Sequence, residues 1–135
     1  MDFQELQTDI EAAEDGISFP FGEDCSIKIA QWGNKKHKKF MRKIHQRYGR
    51  QFDVGGISDD QADDIMAGQW EFIIRDWEGF TEGGKPVKCT PEVLKKLSTD
   101  KRYNDFFKKI EAISKEEENF RLQNIKEVGE GLPTT

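Results

Sequence analysis

Few residues in this 135-residue chain have the types and spacing that catalysis requires. His37 and His45 stand eight residues apart, not at the i, i+4 spacing that sets two imidazoles on one helical face for a metal. Asp59-Asp60 and Asp63-Asp64 could attract a cation, but they lack the spacing of a calcium loop. Acids clustered at a helix start are explained by the helix dipole. Gly55-Gly56 and Gly83-Gly84 are not followed by the Gly-Lys-Ser/Thr of a phosphate-binding loop. No Ser or Cys has the context of a strained nucleophile elbow. Cys25 and Cys89 lie far apart and read as two free thiols of a cytosolic protein. These residues point to a non-enzymatic protein with no metal and no cofactor.

The elements that position them belong to one domain by length, large enough to bury a core. Apolar and charged residues each make up 35% of the chain, so the core must rely on its ten Phe, three Trp and two Tyr. The net charge of -5 argues against a general nucleic-acid binder, but it averages unlike segments. Residues 1–34 carry eight acids and one Lys, whereas residues 35–50 carry eight Lys or Arg and no acid. The N-terminus is acidic, without an apolar run long enough for a signal peptide or a membrane span. The chain is therefore expected to stay in the compartment where it is made.

Taken in order, residues 1–15 read as an acidic arm with a weak helical stripe of Leu6, Ile10 and Ala13. Gly16–Phe21 and Cys25–Ala30 read as two short strands joined by a turn at Gly22-Glu23-Asp24. Pro20 marks the first as an edge, and a hairpin this small needs helices under its apolar face. Asn34 caps a helix expected to stop at Gly49, with Phe40, Met41, Ile44 and Tyr48 on its apolar side. After a loop in which Phe52, Val54 and Ile57 turn inwards, Ser58 and Gln61 form a capping box. The helix it opens is expected to run to Glu78 on a stripe containing Trp70, Ile73 and Trp77, with Gly79 as its left-handed cap. Gly83-Gly84 make a tight turn, Lys85–Lys88 an extended piece, and Thr90-Pro91 open a short helix. A last helix is expected over Lys101–Lys126, carrying Tyr103, Phe106, Phe107, Ile110, Ile113 and Phe120. The fold class is mainly α (α+β), an N-terminal β-hairpin packed on a bundle of about four helices. The domain plan is an acidic arm at 1–15, one helical domain at 16–128 and a frayed tail at 129–135.

Two places could meet a partner. The helix after Asn34 breaks a local rule, since Lys35, Lys36, Lys38 and Lys39 crowd its positive end. Its bases either pair with acidic segments of the same chain or form a docking face for an acidic partner or a second subunit. Arg42, Lys43 and Arg47 are the candidates on that face. Its mixture of bases with Phe40 and Tyr48 is compatible with nucleic acid, but those aromatics fall on the apolar side and no recognition-helix motif is evident. Trp77 and Phe80 are candidate interface anchors, while Trp70 reads as core.

From Gly16 to Phe120 the order of motifs resembles the tail assembly chaperones of long-tailed, siphovirus-like bacteriophages and prophages. The resemblance is carried by the strands Gly16-Ile17-Ser18-Phe19 and Ile27–Ala30, the basic helix from Asn34, and Asp76-Trp77-Glu78-Gly79. Gly84-Lys85-Pro86-Val87, Thr90-Pro91-Glu92 and a helix with Phe106, Ile110 and Phe120 complete it. Thr81-Glu82-Gly83-Gly84 departs from the pattern within the turn, and the C-terminal tail does not align. The resemblance implies a chaperone that binds the tape-measure protein, keeps it soluble, helps recruit tail-tube subunits and is absent from the finished virion. It implies work in the host cytoplasm and, together with the segregated charge, a homo-oligomer. Two other readings stand beside it: a structural tail or head-completion protein retained in the particle, and a nucleic-acid-binding regulator, the weakest of the three.

Overall fold

The computed structural model describes residues 1–125. The fold is mainly helical α+β, with a small three-stranded antiparallel sheet whose strands neighbour one another in sequence order. The first two strands are the expected hairpin, β1 (Ile17–Pro20) and β2 (Ser26–Ile29), in a register that sets Ile17 opposite Ile29 and Phe19 opposite Ile27. Alternation along β2 sends Ile27 and Ile29 into the core, both at 0% exposure, and leaves Lys28 in solvent.

The third strand corrects the reading of the central helix. The capping box is present, with the Ser58 hydroxyl accepting from the Gln61 N–H and the Gln61 side chain accepting from the Ser58 N–H. The helix it opens is short, however: α3 covers Asp59–Met66, then tightens into a 3-10 segment over Ala67–Phe72 and becomes β3 at Ile74–Glu78. Ile27 pairs with Trp77 and Lys28 with Asp76, and a bulge at Arg75 brings Ile29 opposite Ile74. The physical reason is the buried inner edge of β2. Its backbone groups need a partner, and the β-branched pair Ile73-Ile74 supplies one without losing burial. Because the bulge adds a residue, Ile74 and Trp77 both face the core, and their spacing imitates a helical one. Gly79 does take a positive φ of 86°, but it ends a strand rather than a helix.

Helix α2 (Lys35–Asp53) starts as the sequence predicts: the Asn34 side chain accepts from the His37 N–H, and its amide donates to Gln31 and Phe72 carbonyls. One acid reaches this helix start from outside: the backbone N–H of Lys35 donates to the Glu14 carboxylate, while among the described residues the basic side chains themselves stay unpaired. That carboxylate belongs to α1 (Ile10–Asp15) and supplies the negative charge that the first turn of α2 lacks. Gly49 does not stop the helix; it is buried in helical conformation, and α2 runs on to Asp53. The stop comes at Gly55, with φ 70°, where Gly55 donates to Phe52 and Gly56 to Gln51 in a Schellman arrangement. Phe52 and Val54 do not tuck inwards; they stand 37% and 76% exposed at the tip.

The final helix is also shorter than its stripe suggests. A 3-10 turn at Lys101–Tyr103 leads into α5 (Asn104–Lys115), which breaks at Glu116 before a second 3-10 turn at Glu117–Phe120. Three consecutive glutamates at a helix C-terminus oppose the dipole, and the Asn119 side chain caps the Ile113 carbonyl instead. The break lets Phe120 turn inwards to 0% exposure. The predicted end at Lys126 and the predicted tail 129–135 lie outside the described residues. The N-terminal segment docks here: Thr8 bridges Arg121, and the Asp9 N–H donates to the Phe120 carbonyl.

His37 is a structural histidine, 2% exposed, with its ring edge against Trp32. The Gly33 N–H donates to Nδ1 at 3.0 Å, so Nε2 carries the proton and donates to the Gln69 side chain at 3.1 Å. Burial lowers the His37 pKa from 6.5, while the bond to Gln69 partly opposes the shift. Protonation would place an N–H against the Gly33 N–H. The unfolded chain takes up this proton as the pH falls through about 6.5, and the folded chain resists it. Stability at this site is therefore full above that pH and is lost on acidification. We expect the melting temperature to fall from pH about 7 to about 5.5, and His37→Gln to remove part of that slope.

Candidate docking cavity

The sequence from Trp77 to Phe106 folds into the walls of one apolar cavity. After β3, Gly79 turns the chain so that the Phe80 ring packs tilted against Trp77, with ring centroids 5.5 Å apart. A two-residue hairpin follows, β4 (Thr81–Glu82) and β5 (Lys85–Pro86), closed by Gly83 and Gly84 with φ 57° and 81°. Two positive φ values in succession define the primed turn that matches strand twist. The elbow is locked at its base: the Val87 N–H donates to the Phe80 carbonyl at 2.9 Å, and the Trp77 indole N–H donates to the Val87 carbonyl at 2.7 Å. Thr90 then accepts from the Val93 N–H and opens α4 (Pro91–Ser98).

These elements enclose about 380 Å³, with Trp77, Phe80, Val87, Val93, Leu97 and Phe106 as the apolar wall. Tyr103 lies at the mouth, 39% exposed. The rim is charged, with Glu82, Lys96 and the Asp100–Arg102 pair, whose contact is 2.7 Å. The hydrogen bond from Arg102 holds the Asp100 carboxyl below its usual pKa. Behind the wall, aromatic contacts run from Phe80 through Phe106 and Phe107 to Trp70, with centroid distances of 6.2, 5.2 and 4.8 Å. The cavity is thus backed by the main core, which fixes its shape.

Of the five candidate partner residues, the structure brings Trp77 and Phe80 together in this wall. Arg42, Lys43 and Arg47 sit elsewhere, exposed along α2, with the Arg47 guanidinium 5.3 Å over the Tyr48 ring. No α2 residue lines the cavity. Phe106 reads from sequence as part of a helical stripe, and its place in this wall beside Val93 and Leu97 needed the elbow's three-dimensional path. The Asp100–Arg102 rim carries no sequence signal of a binding site. Among the described residues, no cluster of three His, Cys, Asp or Glu could hold a metal ion.

Cys89 lies between β5 and α4, half-buried. Burial pushes its thiol up to about 11, the Asp76 carboxylate adds to the shift, and Arg75 opposes it. The thiolate is scarce at neutral pH. We expect Cys89 to react with iodoacetamide at pH about 8 more than about ten-fold slower than free cysteine, read by mass spectrometry of the labelled peptide.

Fold and site together define a small, mainly helical α+β protein with an aromatic cavity, and the comparisons with known proteins place it among prophage proteins. Residues 32–130 match the model of the YdaY prophage protein family, and the chain belongs to that family. Comparison with curated proteins and with solved structures finds no match. Among the described residues no helix is long and apolar enough to cross a membrane.

Proposed function

We propose that this prophage protein is a tail assembly chaperone. It binds the tape-measure protein, keeps it soluble in the cytoplasm of the host bacterium, and helps recruit tail-tube subunits. It leaves before the tail is complete, and it catalyses no reaction. Family membership supplies the prophage context, and the motif order from Gly16 to Phe120 supplies the resemblance.

The observation that carries the reading is the aromatic cavity of about 380 Å³ between the elbow and α4–α5. Its volume suits a few apolar side chains from one face of an amphipathic helix, the form in which a long helical partner presents its sticky surface. Trp77 and Phe80 act as anchors in this reading, and the charged rim sets rate and orientation more than affinity.

The test is co-expression with the tape-measure protein of the same prophage. Tape-measure protein that is insoluble alone and soluble and bound in the presence of this chain supports the reading. Equal insolubility with and without it removes the reading. Mass spectrometry of purified particles separates a chaperone, which is absent, from a tail or head-completion protein, which is retained.

A further inference from the structure

We propose that the α2–α3 hairpin docks on the same hairpin of a second copy of this chain, with the basic α2 of each copy against the acidic α3 of the other. The first observation is charge left unanswered. α2 is 19 residues long, or about 28 Å, and its eight Lys and Arg side chains are all exposed. Among the described residues none of them lies within 4.0 Å of a carboxylate. The acids Asp59, Asp60, Asp63 and Asp64 of α3 are likewise exposed and unpaired. Opposite charges thus stand on two consecutive helices without meeting within the molecule.

The second observation is the shape. α2 and α3 each pack on the Ala67–Phe72 turn and scarcely touch one another. A furrow of about 370 Å³ remains between them, lined by Tyr48, Gln51, Ile57, Gln61 and Ile65 among others. At the tip Val54 and Phe52 are exposed. The hairpin therefore carries exposed bases along α2, exposed acids along α3, a half-apolar furrow with Asp64 in its lining, and an apolar tip.

A two-fold axis running along the hairpin answers all four features at once. It lays α2 over the second copy's α3 and α3 over its α2, and it sets the two apolar tips side by side. Such an isologous contact closes as a dimer. A nucleic acid fits less well, because the Asp64 carboxylate lines the furrow and three further exposed α3 acids stand on the same short helix, and they repel phosphate. The apolar tip would also remain uncovered. The inference does not rest on the tape-measure reading, and its test contains no other protein.

The test is the mass of the full chain by light scattering and sedimentation equilibrium. The wild type is expected as a dimer at about 50 mM salt and to dissociate at least about ten-fold more readily at about 500 mM. Arg42→Glu/Lys43→Glu/Arg47→Glu is expected to be monomeric, as is Asp63→Lys/Asp64→Lys. An equimolar mixture of the two variants is expected to regain the dimer mass, because each reversed helix now faces its complement. Val54→Asp changes only an exposed tip and is expected to weaken the dimer at least about ten-fold, which tests the contact even if a multiple variant fails to fold. A wild type that is monomeric at low salt overturns the proposal. So does a dimer indifferent to both salt and Val54→Asp, a mixture of folded variants that stays monomeric, or a wild type whose partner is co-purifying nucleic acid.

Discussion

Gly79→Ala is expected to destabilise the protein by about 2–5 kcal/mol, although it adds a single methyl group. Gly79 has φ 86°, a conformation that an L side chain enters at a cost of about 1–2 kcal/mol. The larger cost is steric. A Cβ at Gly79 would lie 2.0 Å from the Asp24 carbonyl oxygen and 3.0 Å from the Cys25 Cα, both backbone atoms of the β1–β2 connection. Backbone cannot rotate away as a side chain can, so the end of β3 must separate from β2. The Cys25 thiol, which donates to the Gly79 carbonyl at 3.2 Å, would lose its acceptor as well. Gly84→Ala is the control. It shares the positive φ, at 81°, but nothing lies within 4 Å, so only the conformational cost of about 1–2 kcal/mol is expected. Urea unfolding midpoints separate the two. Equal losses at both positions would show that Gly79 and Asp24 are not in close approach.

Phe120→Ala is expected to cost about 3–5 kcal/mol, the range for truncating a fully enclosed aromatic side chain. Phe120 is 0% exposed, and it is buried at the point where the N-terminal segment meets residues 120–122. Around it the Phe120 carbonyl accepts from the Asp9 N–H at 2.8 Å, and the Gln7 carbonyl accepts from the Leu122 N–H at 2.9 Å. The α1 helix rests on the Glu117–Phe120 turn and sends Ala13 inwards. Losing the ring should therefore release the N-terminal segment before the rest of the fold. Amide exchange at Asp9 and Leu122 should accelerate together, and proteolysis should begin within the first fifteen residues. A loss below about 1 kcal/mol, with exchange unchanged, would mean that Phe120 does not hold the segment down.

Most of the local signals in the sequence were legible because they are local. Asn34, Ser58 with Gln61, and Thr90 with Pro91 cap helices through atoms three residues away, and each does so in the structure. The hairpin of β1 and β2 followed from alternation within six residues on either side of a glycine turn. What could not be read was decided by distant partners. Whether Ile74–Glu78 is helix or strand depends on the open edge of β2, nearly fifty residues away in sequence. Trp70, Ile73 and Trp77 fit a helical stripe because a 3-10 segment and a bulge reproduce its spacing. Gly49 reads as a stop until its surroundings are known; α2 continues because the glycine is packed inside it.

The candidate site divides in the same way. Trp77 and Phe80 stand out in sequence as large aromatics at an elbow, and they do line the cavity. Leu97 and Phe106 cannot be told from ordinary core positions, since the wall of a cavity and the inside of a core use the same residues. The separation of Arg42, Lys43 and Arg47 from that cavity is a fact of topology. These bases and the aromatic elbow occupy different faces because β3 turns back into the sheet instead of continuing as helix.

The central claim is that the aromatic cavity holds apolar side chains of the tape-measure protein. It is tested most directly by filling the cavity and leaving the rest of the molecule intact. Val93 lines the cavity from α4 and is half-buried, so Val93→Trp adds apolar volume where the guest would sit. The measurement is the yield of soluble tape-measure protein that co-purifies with wild type and with Val93→Trp, after both are shown to melt at similar temperatures. The account predicts that wild type retains the tape-measure protein and that Val93→Trp retains at least about ten-fold less, the effect of losing one central anchor pocket. Equal retention by both would contradict it.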